Sequence, residues 1–218
     1  MNAIQLLKKA SQVVDDLARL GPSTPAELAK ATGEPRPTIY RIVAALEEIE
    51  VIRSAGEGRF ELGPALLKLG DAAVDAFVDR ADLHKQLRWA RGQLGMNTYF
   101  CVLREDRALC LDHVDGTDIE MLGLGPGRTL PLHAGAASHA LLAFASPEVR
   151  SAVLKSDPFE RLASGTPESA PVLQQRLDHV LEHGWSLDDS EVLEGVASIA
   201  VPVRRPDGTV IGVVTIAG

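Results

Sequence analysis

The stretch from Thr24 to Leu62 leaves the chain little conformational choice. Thr24-Pro25-Ala26-Glu27 has the form of a capping box with proline at the first helical position. Ala26, Leu28 and Ala29 make a short helix, and Gly33 can end it in a left-handed conformation. Glu34-Pro35-Arg36 then breaks the chain. Pro37 starts a second helix, where a missing N–H costs little. In that helix Ile39, Ile42, Val43 and Leu46 fall at i, i+3, i+4 and i+7, one apolar face. Arg36, Thr38, Tyr40 and Arg41 are left outside, at the front. Arg53, a glycine-rich Ser-Ala-Gly-Glu-Gly and Arg59-Phe-Glu-Leu read as a β hairpin. Helix, turn, helix and hairpin in that order make a winged helix-turn-helix. Basic and polar side chains at the front of its second helix suit a DNA major groove. An ordinary helical hairpin with a solvated face is the plainer alternative, and the exposed Arg36, Thr38, Tyr40 and Arg41 weigh against it.

Charge refines this reading. The 218 residues carry a net charge of −8, which argues against a protein that coats nucleic acid non-specifically. The acid is unevenly placed. Residues 1–62 hold eight Lys/Arg against nine Asp/Glu, and the remainder fourteen against twenty-one. The first part is near neutral, with Arg36, Arg41, Arg53 and Arg59 gathered at the proposed DNA face. The second should be repelled by phosphate. Hydrophobic content of 45% is ordinary for a chain with a proper core. Nothing at the N-terminus resembles a signal peptide, and the longest apolar runs are too short to span a bilayer, so a cytoplasmic protein is expected. Cys101 and Cys110 are too few for a disulfide framework; they can face each other across a hairpin, as reduced core thiols.

Along the chain, residues 3–20 predict a helix with Leu6, Ala10, Val13, Leu17 and Leu20 at helical spacing, closed by Gly21-Pro22. Gly63-Pro64 leaves the wing. Residues 65–78 are helical, with a Leu66, Leu69, Ala73 and Phe77 stripe that suits pairing across a dimer. Residues 82–94 form a further helix ended by Gly95. Then the period changes. Strands are expected at 98–104, 108–114, 119–124, 195–203 and 209–217, with helices at 136–145, 147–155 and 172–183. Residues 129–132 and 157–171 read as connections. The second domain is therefore a mostly antiparallel sheet with helices on its flanks, and the whole chain is α+β.

Two sets of residues resemble one family. Arg36-Pro-Thr-Ile-Tyr-Arg-Ile-Val-Ala-Ala-Leu and Arg59-Phe-Glu-Leu-Gly resemble the N-terminal domain of IclR-type bacterial transcriptional regulators. Leu130-Pro-Leu-His-Ala, Asp188-Asp-Ser-Glu, Gly195-Val-Ala-Ser-Ile-Ala-Val-Pro-Val and Val214-Thr-Ile-Ala-Gly resemble that family's GAF-like effector domain. The resemblance covers nearly the whole chain. It implies a homodimer or tetramer on palindromic double-stranded operator DNA, controlled by a small-molecule effector. By motif it assigns the effector pocket to Leu122, Leu130, Ala136, Ala137, Asp188, Val196, Ser198, Thr215 and Ala217. The family's helix after His133 starts Gly-rich and carries a Lys, where this chain reads Gly135-Ala-Ala-Ser138-His139. Ser198 stands where the family often has Cys. The family's helix after the last strand has no counterpart before Gly218.

The domains expected are a DNA-binding domain at 1–63, a helical linker at 64–80 and an effector domain at 81–218. Arg36, Thr38, Tyr40 and Arg41 should meet bases and phosphates, and Arg53 and Arg59 should meet phosphate or minor groove. Amides at Ala136 and Ala137, free at a helix start, would favour an anionic effector, a carboxylic acid. Asp188 would accept from its hydroxyl or amine. No cofactor or metal is expected: His179 and His183 have helical ligand spacing but no third ligand, and His133 suits a loop hydrogen bond. No catalysis is expected either, because Ser138, His139 and Asp188 lack a nucleophile-elbow setting. The rival is an enzyme or free-standing metabolite-binding module that merely carries a helical hairpin.

Overall fold

A computed structural model describes residues 3–75, 79–117 and 124–218. The chain divides into two units, Met1–Ala76 and Phe77–Gly218.

The first unit begins with α1 (Ala3–Leu20), α2 (Pro25–Thr32) and α3 (Arg36–Glu48). The capping box at Thr24 forms as the sequence predicts: the Glu27 amide donates to Thr24 Oγ1 at 3.3 Å, and the Thr24 amide donates to Glu27 Oε2 at 2.8 Å. Gly33 closes α2 at φ 72°. Ile39, Ile42, Val43 and Leu46 of α3 are buried against Val13 and Leu17 of α1 and Leu28 and Ala29 of α2. Each such fully buried aliphatic side chain contributes about 1.5–3 kcal/mol, so α3 is held by its back and free at its front. The apolar stripe of α1 buries less than its spacing predicts, since Leu6 and Leu20 remain exposed. The hairpin of β1 (Ile52–Gly56) and β2 (Arg59–Leu62) follows. It gains a contact that the sequence did not suggest. Ser23, just ahead of α2, exchanges two backbone hydrogen bonds with Phe60 of β2, at 2.9 and 2.8 Å, and so ties the wing to the helices. The unit ends with α4 (Ala65–Asp75); the remainder of the expected 65–78 helix, Phe77 included, lies outside the described residues.

The second unit contains α5 (Arg80–Leu94), β3 (Asn97–Arg104), β4 (Arg107–Val114), β5 (Thr129–Pro131), α6 (Ala136–Ala143), α7 (Pro147–Leu154), α8 (Ala170–His183), β6 (Ser186–Asp189), β7 (Ala197–Arg204) and β8 (Val210–Ala217). Its sheet runs β5-β4-β3-β8-β7-β6 with every pairing antiparallel, so the first and last long strands lie side by side at its centre. Helix α5 packs on β3 and β4, where Thr98 Oγ1 donates to the Leu87 carbonyl at 3.1 Å. Because strand side chains alternate, Tyr99 and Cys101 point to the other face, which α6 covers. All eight residues of α6 are buried. Six of them are Ala or Leu, a composition that belongs inside, and α6 contacts the sheet on one side and α8 on the other. Cys101 and Cys110 are register partners across the β3–β4 hairpin, both buried and free.

The structure revises the sequence reading of this sheet. Residues 129–131 are a short edge strand on β4 and not a connection. Residues 186–189, to which the sequence reading assigned no element, form a strand on β7. Of the strand expected at 119–124, residues 119–123 lie outside the described residues and Leu124 is not in a strand. Segments of three or four residues are too short for a period to show in sequence; their pairing is imposed by longer neighbours.

Candidate functional site

Two regions are candidates for function. The first is the front of α3. Arg36, Tyr40 and Arg41 are exposed and Thr38 is half-buried. Neither Arg36 nor Arg41 has an ion-pair partner among the described residues. The wing cations differ. Arg53 is paired with Glu61 at 2.7 Å. Arg59 Nη1 donates to the Pro22 carbonyl at 2.8 Å and to Glu27 at 3.1 Å. Glu27 thus closes the capping box and neutralises the wing; the Thr24 amide and hydroxyl, then Arg59, hold its carboxyl below the usual range. The expected cluster of four cations is two unclaimed ones on the helix and two claimed ones on the hairpin.

The second region is a cavity of about 360 Å³ between the sheet and the start of α6. It has the size of a small-molecule site. Leu130, Ala136, Ala137, Asp188, Val196, Ser198, Thr215 and Ala217 all line it. Leu122 lies outside the described residues. Strand register brings these residues together. Tyr99 of β3 pairs with Thr215 of β8, while Ala217 of β8, Ser198 of β7 and Asp188 of β6 form the neighbouring row. Sequence reasoning missed Tyr99, Leu124, Gly135, Val192 and Leu193, which also line the cavity. Alternation along β3 marks Tyr99 as sharing a face with Cys101, but only the register with Thr215 aims that face at the cavity.

The start of α6 departs from expectation. Of the two amides expected to be free there, at Ala136 and Ala137, the Ala136 amide is taken, and so is the Gly135 amide ahead of it. The Gly135 amide donates to Glu191 Oε2 at 2.9 Å and the Ala136 amide to Asp188 Oδ2 at 2.9 Å. Ser198 Oγ donates to the same Asp188 oxygen. The positive end of the helix is therefore already met by two protein carboxylates. Gly135 makes this approach possible: at φ 93° its backbone favours glycine, and a Cβ there would stand 2.9 Å from a methyl of Val192. Glu191 went unrecognised as a structural residue, since an Asp-Asp-Ser-Glu run reads as solvated loop. It is buried, with His139 Nε2 at 3.3 Å and Arg176 Nε at 3.7 Å. Burial pushes its pKa up to about 7. Burial likewise pushes His139 down to about 4, and the neutral ring donates from Nε2 to the His133 carbonyl at 3.1 Å. His133 itself donates to the Glu160 carbonyl at 2.9 Å and stacks on Phe159, the loop-holding role its sequence suggested.

Some buried polar atoms have no partner. Tyr99 and Thr215 line the cavity, and their Oη and Oγ1 atoms are buried and make no hydrogen bond. Burial also pushes the Tyr99 phenol well above its ordinary pKa, so it keeps its proton. Unsatisfied buried polar atoms are rare in folded proteins and call for an explanation. Ser138 Oγ is also buried and unpartnered, and hydrogen-bonds neither His139 nor Asp188. The described residues contain no helix long and apolar enough to cross a membrane.

A helix-turn-helix unit with free cations on its second helix, joined in one chain to a cavity-bearing α+β unit, defines a ligand-responsive DNA-binding regulator. The family models agree: residues 6–56 match the IclR helix-turn-helix domain and residues 78–218 the bacterial transcriptional regulator IclR C-terminal domain. The chain belongs to the IclR family of transcriptional regulators. It is 33% identical to the glycerol operon regulatory protein of Streptomyces griseus, over 99% of this chain and 85% of that one. It is 28% identical to the transcriptional regulator KipR of Bacillus subtilis, over 89% of this chain and 78% of that one. In fold it is similar to an IclR homolog from Microbacterium hydrocarbonoxydans solved in complex with 4-hydroxybenzoate, with a TM-score of 0.86, 24% identity and coverage of 97% and 88% of the two chains.

Proposed function

We propose that this regulator binds a palindromic operator as a homodimer or tetramer through Arg36, Thr38, Tyr40 and Arg41, in the cytoplasm and without catalysis. It represses metabolic genes, and a small molecule in the α6 cavity alters its DNA affinity. Relatives named for the glycerol operon and a fold neighbour holding 4-hydroxybenzoate support a metabolite effector. The observation that carries the DNA assignment is the contrast at the DNA face: Arg36 and Arg41 are unclaimed, while Arg53 and Arg59 are paired. The wing then positions α3, and its pairs open only if phosphate competes for them. The boundaries proposed are those of the sequence reading, 1–63, 64–80 and 81–218, with the middle segment as dimer seam. Leu69 on α4 is exposed in the single chain, which suits a seam completed by a second copy. A carboxylic acid fits the size of the cavity, but the Ala136 amide, taken by Asp188, no longer argues for one, and the Ala137 amide alone supports it.

The test is a gel shift against the intergenic DNA upstream of the gene, with light scattering on wild type and Leu69→Asp. A discrete complex on an inverted repeat supports the proposal, with Leu69→Asp monomeric and unable to form it. Leu69→Asp that stays dimeric and binds normally removes α4 from the seam.

A further inference from the structure

A second cavity, separate from the one beneath α6, lies between α8 and β6. At about 410 Å³ it also has the size of a small-molecule site. Its polar side chains are Gln175, Arg176, His179, Trp185 and Ser186. None of the five makes a side-chain hydrogen bond among the described residues. Gln175 and Arg176 are exposed, and no polar side-chain atom of His179, Trp185 or Ser186 is sealed in the interior. The set is rich in donors: Arg176 brings five N–H groups and no acceptor, and Trp185 a further N–H. Among the described residues the lining holds no Asp or Glu, in a chain with 30 acidic residues against 22 basic ones.

Arg176 is the centre of this set. Its side chain is 51% exposed, and its Nε stands 3.7 Å from Glu191 Oε1, too far for a hydrogen bond. That oxygen is itself buried without a hydrogen-bond partner. Burial holds the Glu191 pKa up at about 7, so near neutral pH the acid is only partly ionised and claims little of the Arg176 charge. The guanidinium fork is left for a partner in the groove. Apolar surface stands beside it. Val172 and Leu187 are exposed in the lining. Trp185 meets the His179 ring edge-on at 4.7 Å, and His179 stacks on His183 at 4.2 Å, so the indole is held in place. The groove between α5 and β4 differs, because its wall includes Asp115. There Asp115 pairs with His113 at 3.3 Å and its carbonyl accepts from Arg91 at 3.0 Å. An incoming anion would face that carboxylate.

We propose that the groove between α8 and β6 is a second ligand site, which takes a small organic carboxylate on Arg176 and rests its compact apolar body on Trp185 and Leu187. A carboxylate suits the planar guanidinium, which donates two parallel N–H bonds to it. The site is independent of the effector role proposed for the α6 cavity.

The test uses the full chain carrying Trp89→Phe, a change at an exposed position of α5. It leaves Trp185 as the single tryptophan. Titration with benzoate should change Trp185 emission saturably at millimolar concentration or below. Benzamide, the same shape without the charge, should bind at least about tenfold more weakly. Inorganic phosphate, a charge without the body, should also bind more weakly. Arg176→Gln should weaken benzoate by at least about tenfold. Because that substitution also removes the cation beside Glu191, Leu187→Glu serves as a second probe. It alters an exposed residue, leaves Arg176 and Glu191 in place, and sets an acid in the wall. It should weaken benzoate by roughly fivefold or more. No saturable change in Trp185 emission overturns the site. Benzamide or phosphate binding as tightly as benzoate overturns the ligand class. Benzoate binding untouched by both Arg176→Gln and Leu187→Glu places the ligand elsewhere, the α6 cavity included; it overturns the second site and leaves the effector proposal standing.

Discussion

The front of α3 and the cavity beneath α6, the two proposed sites, are built in opposite ways. On α3 the working groups are exposed, charged and unclaimed by any carboxylate. In the cavity they are buried, neutral and unclaimed by any donor or acceptor. The first arrangement suits a large, highly charged partner that arrives with its own solvent and counterions. The second suits a small partner that must replace water completely. Around each lie similar residues that the protein has satisfied internally: Arg53 and Arg59 on the wing, and Asp188 and Glu191 at the helix start. Residue type alone does not separate the proposed functional groups from the satisfied ones here. The state of their hydrogen bonds and ion pairs does.

The largest expected effect breaks the comparison on the DNA side. Arg41→Ala opens no cavity, because its side chain lies off the Ile39/Ile42/Val43/Leu46 face. Each lost contact is worth about 1–3 kcal/mol, and a dimer loses two. Operator affinity should fall by roughly a hundredfold or more with the melting temperature unchanged. Arg59→Ala should cost less than about tenfold, with a shallower salt slope, since its guanidinium is already shared with Glu27 and the Pro22 carbonyl. Equal losses in filter-binding titrations would mean that the wing pairs open on DNA.

Next in size is the stability of the helix start. Asp188→Ala leaves the Ala136 amide and the Ser198 hydroxyl without their acceptor. Calorimetry should record a loss of about 2 kcal/mol, for two charge-assisted bonds partly offset by relief of a buried charge. An unchanged melting temperature would assign Asp188 to the ligand alone.

Acidity sharpens the same contrast. Between its ordinary value of 4.5 and about 7, folded Glu191 holds a proton that the unfolded chain has released, so this residue makes stability fall as pH rises. Between about 4 and its ordinary 6.5, unfolded His139 holds a proton that the folded ring refuses, so that residue makes stability rise with pH. The two slopes oppose each other from about pH 4.5 to 6.5 and should largely cancel. His139→Gln should leave a stability that falls over that range, and Glu191→Gln one that rises, each by at most about 1.4 kcal/mol per pH unit. Urea titrations across the range check the signs; parallel profiles in both variants would refute the assignment.

The smallest effect is the most discriminating. Tyr99→Phe and Thr215→Val each delete a buried polar atom that has no partner. Stability should stay within about 0.5 kcal/mol or rise slightly. A loss well above that, read as a drop in melting temperature, would reveal an internal partner for the hydroxyl.

The sequence disclosed these regions unequally. The buried face of α3 follows from a four-residue spacing, and the capping box at Thr24 from four adjacent letters, because both are local. The residues around the cavity come from β3, β5, β6, β7, β8, α6 and the segment between β6 and β7, so no spacing connects them. Their grouping was legible only as a family resemblance. What stayed hidden depends on register and charge pairing. Tyr99 faces Thr215 only once β3 and β8 are aligned. Glu191 caps α6 from 56 residues away. Arg59 meets Glu27 across 32 residues.

The central claim is that two separate sets of unclaimed groups, one exposed and one buried, bind DNA and effector. An operator titration tests it most directly, run with and without the tightest ligand found by thermal shift, on wild type, Arg41→Ala and the Tyr99→Phe/Thr215→Val double variant. The account predicts that Arg41→Ala loses operator affinity at every ligand concentration but binds ligand normally. The double variant should hold operator like wild type in the absence of ligand and respond to ligand only at much higher concentration. A double variant that keeps the full response, or an Arg41→Ala protein that holds operator normally, would contradict it.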